Sequence, residues 1–151
     1  MLKTADISYI DSVRGKFLEY LFYNWMVETN KDDKTTFRCD LMINHEQIDC
    51  SSENGKEVNV FECKMGIDIR DVKDVIEQVK RKCSAVRRTT AKEVVGNVVS
   101  YKRIGLTARA KLESAGLWVI DDLDNLISSN LRYRNRKEAR ALLRRDHVSQ
   151  G

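Results

Sequence analysis

The stretch VNVFECKMG at residues 58–66 ends an apolar, strand-like run with an acid and a base two positions apart, Glu62 and Lys64. Side chains alternate across a strand, so Val58, Val60, Glu62 and Lys64 share one face. The valines belong inside, and the charged pair emerges where the strand leaves the core. Asp49, in EQIDC, stands thirteen residues before Glu62. A hairpin between the two segments brings Asp49 beside Glu62. Convergent carboxylates repel each other and are costly without a cation between them. An all-oxygen set suits a hard divalent ion such as Mg²⁺, which keeps waters for a phosphate substrate. Lys64 beside that ion can orient or deprotonate a water, or stabilise charge developing on a phosphorane. An isolated Glu-x-Lys arises by chance about once in a few hundred residues, and its plain meaning is a strand-end salt bridge. Context gives it weight: a hydrophobic strand before it, Ile48-Asp49 across a hairpin, and a following helix that carries Gln78 beside its apolar stripe.

The elements that must position these groups can be read along the chain. Residues 8–27 place Ile10, Val13, Phe17, Leu18, Leu21, Phe22 and Trp25 at three- and four-residue spacing, which predicts an amphipathic helix packed on a core. Gly15 within it costs roughly 1 kcal/mol relative to alanine and would suit a close helix contact. Residues 36–43 and 47–51 read as strands around a turn at Asn44–His45. SSENGKE supplies an Asn-Gly hairpin turn, and residues 57–64 are the return strand. After Gly66, Asp68 or Asp71 caps a helix to about Val86, with Val72, Val75, Ile76, Val79 and Cys83 on one stripe. Residues 94–101 form a buried-type strand. Thr107 caps a short helix closed by Gly116. LWVI is another buried strand, Asp121 or Asp122 opens a helix through Ile127, and a last helix covers about 136–145. The expected fold is α/β: a mixed central sheet, an antiparallel meander followed by strand-helix-strand, flanked by helices.

Composition bounds the rest. The 151 residues, 42% hydrophobic and 33% charged, describe a globular chain large enough for a real core. No apolar run reaches membrane-spanning length and the N-terminus has no signal-peptide core, so no membrane partner and a cytoplasmic location are expected. Cys39, Cys50, Cys63 and Cys83 match no familiar zinc spacing and read as reduced thiols. There is no P-loop, Rossmann fingerprint or G-x-S-x-G. Net charge is +4, but residues 131–151 hold seven basic and two acidic groups, leaving twenty basic against twenty-one acidic before them. A basic segment on a neutral body fits an anionic polymer as partner, or a solvated helix face. Trp25 and Trp118 read as core. Tyr133 among arginines reads as packing more readily than as a stacking platform, and His45 as a solvated turn residue.

EQIDC…VNVFECKMG resembles the D-x(n)-(D/E)-x-K signature of the PD-(D/E)xK nuclease superfamily, with its restriction-endonuclease-like fold. RGKFLEYLFYNW is similar to the opening helix of that family, with Glu19 at the position that often completes the metal site. Gln78 stands where Mrr-like and archaeal resolvase-like members carry a helix glutamine, and the segment from Val94 to Ile127 is similar to the family's later strand-helix-strand. ECKMG followed by a long helix also resembles the nuclease domains of CRISPR ancillary effectors that carry a CARF sensor. Two departures stand out: Gln47 replaces a frequent glutamate two residues before Asp49, and Lys82 stands where a tyrosine usually follows the glutamine by four.

The resemblance implies a nuclease core at residues 1–130 and a basic C-terminal helix or tail at 131–151. It implies Mg²⁺ or Mn²⁺ held by Asp49, Glu62, the Cys63 carbonyl and Glu19, with Lys64 positioning the attacking water and Gln78 steadying it or a phosphate. The implied activity is metal-dependent endonucleolytic hydrolysis of DNA, by a homodimer. Lys80, Arg81, Lys102, Arg103, Arg132, Arg134, Arg136 and Arg140 would track the nucleic-acid backbone. Two alternatives stay open: a catalytically inactive nucleic-acid-binding subunit of the same fold, and an effector that degrades RNA or single-stranded DNA.

Overall fold

The computed structural model describes residues 4–129, with side chains from residue 15 onward. The chain runs α1 (Thr4–Thr29), β1 (Thr36–Ile43), β2 (Glu46–Glu53), β3 (Glu57–Lys64), a 3-10 turn (Ile69–Asp71), α2 (Val72–Arg87), β4 (Glu93–Ser100), α3 (Leu106–Ser114) and β5 (Trp118–Ile120). Residues 123–129 are again helical. The strands form one sheet in the order β1-β2-β3-β4-β5. The first three pair antiparallel, and β3, β4 and β5 pair parallel. This is the mixed α/β sheet expected from the sequence. No described helix is long and apolar enough to cross a membrane. The last expected helix, Tyr133, Arg132, Arg134, Arg136 and Arg140 lie outside the described residues.

Helices cover both faces. On one, Val75, Val79, Cys83 and Val86 of α2 pack on Val58 and Val60 of β3 and Val98 of β4. On the other, Leu18, Phe22 and Met26 of α1 pack on Cys50, Phe61 and Val99. Phe22 lies fully buried against the Phe61 ring, centroids 5.0 Å apart.

Several local expectations need correction. Phe17 is 67% exposed, because the buried stripe of α1 is Leu18–Phe22–Met26 and position 17 points away from it. Ile10 and Val13 belong to the part of α1 whose side chains lie outside the description. Among the described residues, a Cβ on Gly15 would meet nothing within 4 Å, so no described helix makes the expected close contact there. The Asn44–His45 turn is as expected, with φ 49° and 67°, the pairing of positive values that a two-residue type I′ hairpin requires. The Asn54–Gly55 turn is of another kind: the Asn54 side chain accepts the amides of Lys56 and Glu57 at 2.8 and 2.9 Å. Asp68 caps the turn before α2 through a reciprocal box with Asp71. Helix α3 is preceded by Gly105 instead of being capped by Thr107. Trp118 is 70% exposed: the short β5 stands at the edge of the sheet and turns that ring outward.

The β1–β2 pair carries an irregularity that shapes the site. Phe37 and Cys39 pack on the α1 side, whereas Leu41 and Ile43 pack on the α2 side. Plain alternation would keep these four on one face. Asp40, at φ 56°, breaks it, in a conformation that aspartate tolerates better than most residues. Asp40 and Asp49 are the positions skipped between the pairs Cys39↔Cys50 and Leu41↔Ile48. Asp49 therefore sits where the strand pair changes sides.

Candidate active site

Asp49 uses its position at the break. Its Oδ2 accepts the backbone amide of Cys63 at 3.0 Å, reaching across to β3 beside Glu62. Glu62 is 4% exposed and projects from β3 on the side covered by α2. Lys82 of α2 meets it there: Lys82 Nζ donates to Glu62 Oε2 at 2.5 Å and lies 3.9 Å from Asp49 Oδ1. Lys64 Nζ approaches the other oxygen of Glu62 at 3.5 Å and is partly open to solvent. The two carboxylates from neighbouring strands thus face one buried ammonium group, with a second ammonium on the open side.

Glu19 joins from α1. Its carboxyl is pushed up to about 7, chiefly by burial and then by the charge of Asp49 and a hydrogen bond shared with it. The Cys50 thiol donates to the Glu19 carbonyl at 3.4 Å, fixing this turn of α1 to β2. The Cys63 side chain lies on the α1 side of the sheet. Its thiol is pushed up by a hydrogen bond with Cys50 and by burial, which keeps it a thiol and makes it a poor metal ligand.

Gln78 lies one helical turn before Lys82 on α2, and residues four apart share a helix face. Its Oε1 is buried without a hydrogen-bond partner, one of two such side-chain atoms among the described residues; Trp25 Nε1 is the other. Buried polar atoms are nearly always paired, so each exception calls for a reason.

The expected backbone-tracking residues that are described, Lys80, Arg81, Lys102 and Arg103, do not form one cluster. Lys102 stands beside Gly66, and its amide bonds Met65 just past β3. Arg103 is exposed next to it. Arg81 is tied to Glu46 by a 2.7 Å ion pair. Lys80 instead lines a separate groove with Arg87, Gly96 and Trp118.

Lys82 was legible only as a departure from the family pattern. Its signal is position: it directly precedes Cys83 and follows Val75 and Val79 by seven and three residues, which places a cation at the margin of a buried stripe. Gln47, the other departure, donates to Asp40 at 2.7 Å, and Lys16 bonds the same oxygen at 2.7 Å. These two bonds, Lys16 first, hold the Asp40 carboxyl below its ordinary value.

Among the described residues, no three His, Cys, Asp or Glu side chains are drawn into a ligand cage. The donor set nevertheless fits a hard divalent ion. Asp49 and Glu62 supply convergent carboxylate oxygens, Glu19 is in contact with Asp49, and a cationic group already stands against the pair.

Solved structures share this architecture. One is a repair endonuclease from Pyrococcus abyssi, with a TM-score of 0.52 and 21% identity over 68% of this chain and 46% of that one. EndoMS in complex with double-stranded DNA matches with a TM-score of 0.51 and 17% identity, over 68% of this chain and 43% of that one. The small subunit of the heterodimeric restriction endonuclease R.BspD6I matches with a TM-score of 0.51 and 11% identity, over 76% of this chain and 68% of that one. The chain spans less than half the length of the first two. No protein-family model and no curated protein matches it. At these identities the likeness establishes the fold, which is restriction-endonuclease-like.

Proposed function

We propose that this chain is a divalent-metal-dependent endonuclease acting on phosphodiester bonds of DNA. The observation that carries the proposal is the convergence of Asp49 and Glu62, from adjacent strands, on one cation position with Lys64 beside it. Asp49, Glu62, the Cys63 carbonyl and Glu19 would hold Mg²⁺ or Mn²⁺. Such an ion supplies Lewis acidity toward a phosphate oxygen and a more acidic water.

The chain's own groups account for the remaining requirements. Lys64 reaches solvent from the rim and carries three donors, enough to hold Glu62 while orienting a water or a phosphate oxygen. Gln78 Oε1 has a free acceptor that a water can fill. Glu19, with its proton held up to about 7, can accept or release that proton near neutral pH. Lys102 and Arg103, past the ends of β3 and β4, would meet the backbone of a bound strand, whereas Arg81 would first have to leave Glu46. The basic residues at 132–140, which lie outside the described residues, would add charge for the same anionic partner, and a homodimer would place two such sites on two strands.

The test is a panel of supercoiled plasmid, linear duplex, four-way junction, single-stranded DNA and RNA, each with Mg²⁺, Mn²⁺ or EDTA. Metal-dependent cutting that Glu62→Ala and Lys64→Ala lower by a hundredfold or more (roughly the scale of a lost charge-stabilising group), with binding largely kept, supports the proposal. No cutting with either metal, or equal cutting by Glu62→Ala, overturns it.

One observation favours a second reading, a nucleic-acid-binding protein of this fold that does not cut. Lys82 already satisfies the two carboxylates. Binding to the same panel without cleavage under any metal selects this reading. Cleavage confined to RNA or single strands selects a degrading effector instead.

A further inference from the structure

We propose that Lys82 is a built-in counter-cation for the Asp49–Glu62 pair, and that a divalent ion enters by displacing it. This inference rests on the metal-dependent reading above and adds to it a residue that sets how readily the site loads. Lys82 Nζ lies 2.5 Å from Glu62 Oε2 and 3.9 Å from Asp49 Oδ1. Lys64 Nζ takes the remaining oxygen of Glu62 at 3.5 Å. The two carboxylates of this pair and the two ammonium groups balance in charge. A doubly charged ion added to that arrangement would face two nearby ammonium groups in a desolvated setting, where like charges a few ångströms apart repel strongly. Relief comes from moving a lysine away.

Lys82 is the one whose place conflicts with the ion, because it contacts both carboxylates, while Lys64 touches Glu62 from the rim. Its means of leaving is its stem, four flexible carbons, and its side chain, though buried, retains 11% exposure. Burial of this ion pair also explains why the chain tolerates a lysine in the α2 stripe. Removing either partner alone leaves an uncompensated buried charge. The ammonium therefore keeps the folded, metal-free protein stable and sets a threshold concentration for the divalent ion.

Two measurements test this. Mn²⁺ binding is followed by titration calorimetry for the wild type and Lys82→Met, with Glu62→Gln as the control that should lose binding. Lys82→Met is expected to bind Mn²⁺ at least tenfold tighter, since the ion no longer has to break a close ion pair with both carboxylates to enter. Equal or weaker binding overturns the assignment. Should Lys82→Met not fold, the wild type decides: reductive methylation mapped by mass spectrometry should spare Lys82 in EDTA and modify it once Mn²⁺ is saturating. Lys82 labelling unchanged at saturating Mn²⁺ overturns the proposal. If neither protein binds Mn²⁺, the metal-dependent reading fails and this one with it. If the wild type binds and the variant gains nothing, Lys82 alone is misassigned.

Discussion

The carboxylate of Asp49 is bonded to the backbone amide of Cys63 at 3.0 Å, one residue past Glu62. The β2–β3 ladder ends at Cys50↔Phe61, so this side-chain bond takes over where the strands part and fixes Asp49 against Glu62. Asp49→Asn keeps an acceptor oxygen and loses the charge, while Asp49→Ala loses both. Asp49→Asn should unfold in urea near the wild-type midpoint yet bind Mn²⁺ much more weakly. Asp49→Ala should in addition lose about 1–3 kcal/mol for the orphaned amide. Equal stability of the two variants would remove the strand-pinning role.

Glu19 gives the site a pH dependence with a defined sign. Its carboxyl is raised from 4.5 to about 7, first by burial and then by Asp49. The folded chain therefore holds this proton more tightly than the unfolded one. The resulting stability is complete below the lower value and is lost as pH rises through about 7. Glu19→Gln should flatten that part of the urea-midpoint profile, modestly, because the group is only partly buried. Divalent binding runs the other way. It must expel the proton, so Mn²⁺ affinity should rise over the same interval, with proton release seen by calorimetry in buffers of different ionisation heat. An affinity flat across that interval would take Glu19 out of the site.

Gly96 is required by packing. A Cβ there would lie 2.8 Å from Val79 Cγ1, 3.0 Å from Leu117 Cδ2 and 3.2 Å from Cys83 Sγ. Val79 is β-branched within a helix and cannot rotate out of the way. Gly96→Ala should cost about 1–3 kcal/mol, read as a lower urea midpoint. Adding Val79→Ala should recover part of that loss, a non-additivity expected of touching residues.

What the sequence made legible is local, and what it hid is tertiary. The meander could be read because alternation, an Asn44–His45 turn and a run ending in Glu62 and Lys64 are properties of neighbouring residues, and with them came the approach of Asp49 to Glu62. The partner of both carboxylates is not such a property. Lys82 reaches them only because α2 docks on the β3–β4 face through Val75, Val79 and Cys83. Gly96 is the complement of that docking and reads in isolation as an odd residue in a strand. Phe17 and Trp118 are exposed for one reason: apolar character alone does not bury a side chain, because a stripe admits only positions on its own side and an edge strand leaves one face open. The positive φ of Asp40, which turns the strand pair from one helix to the other, leaves no mark in composition.

Gln78 separates a structural role from a chemical one. Its buried Oε1 has no partner among the described residues, and an unsatisfied buried acceptor costs roughly 1–3 kcal/mol. Gln78→Met keeps the length of the side chain and removes that acceptor, so the urea midpoint should stay level or rise. If the acceptor holds a water or a phosphate during turnover, cleavage should fall about tenfold or more in kcat with KM nearly unchanged, as befits a contact made chiefly in the transition state. A glutamine kept for the fold would give the opposite pair of results: a lower midpoint, and unaltered turnover per folded molecule. The two outcomes cannot be confused, because here loss of stability and loss of rate are expected to move independently.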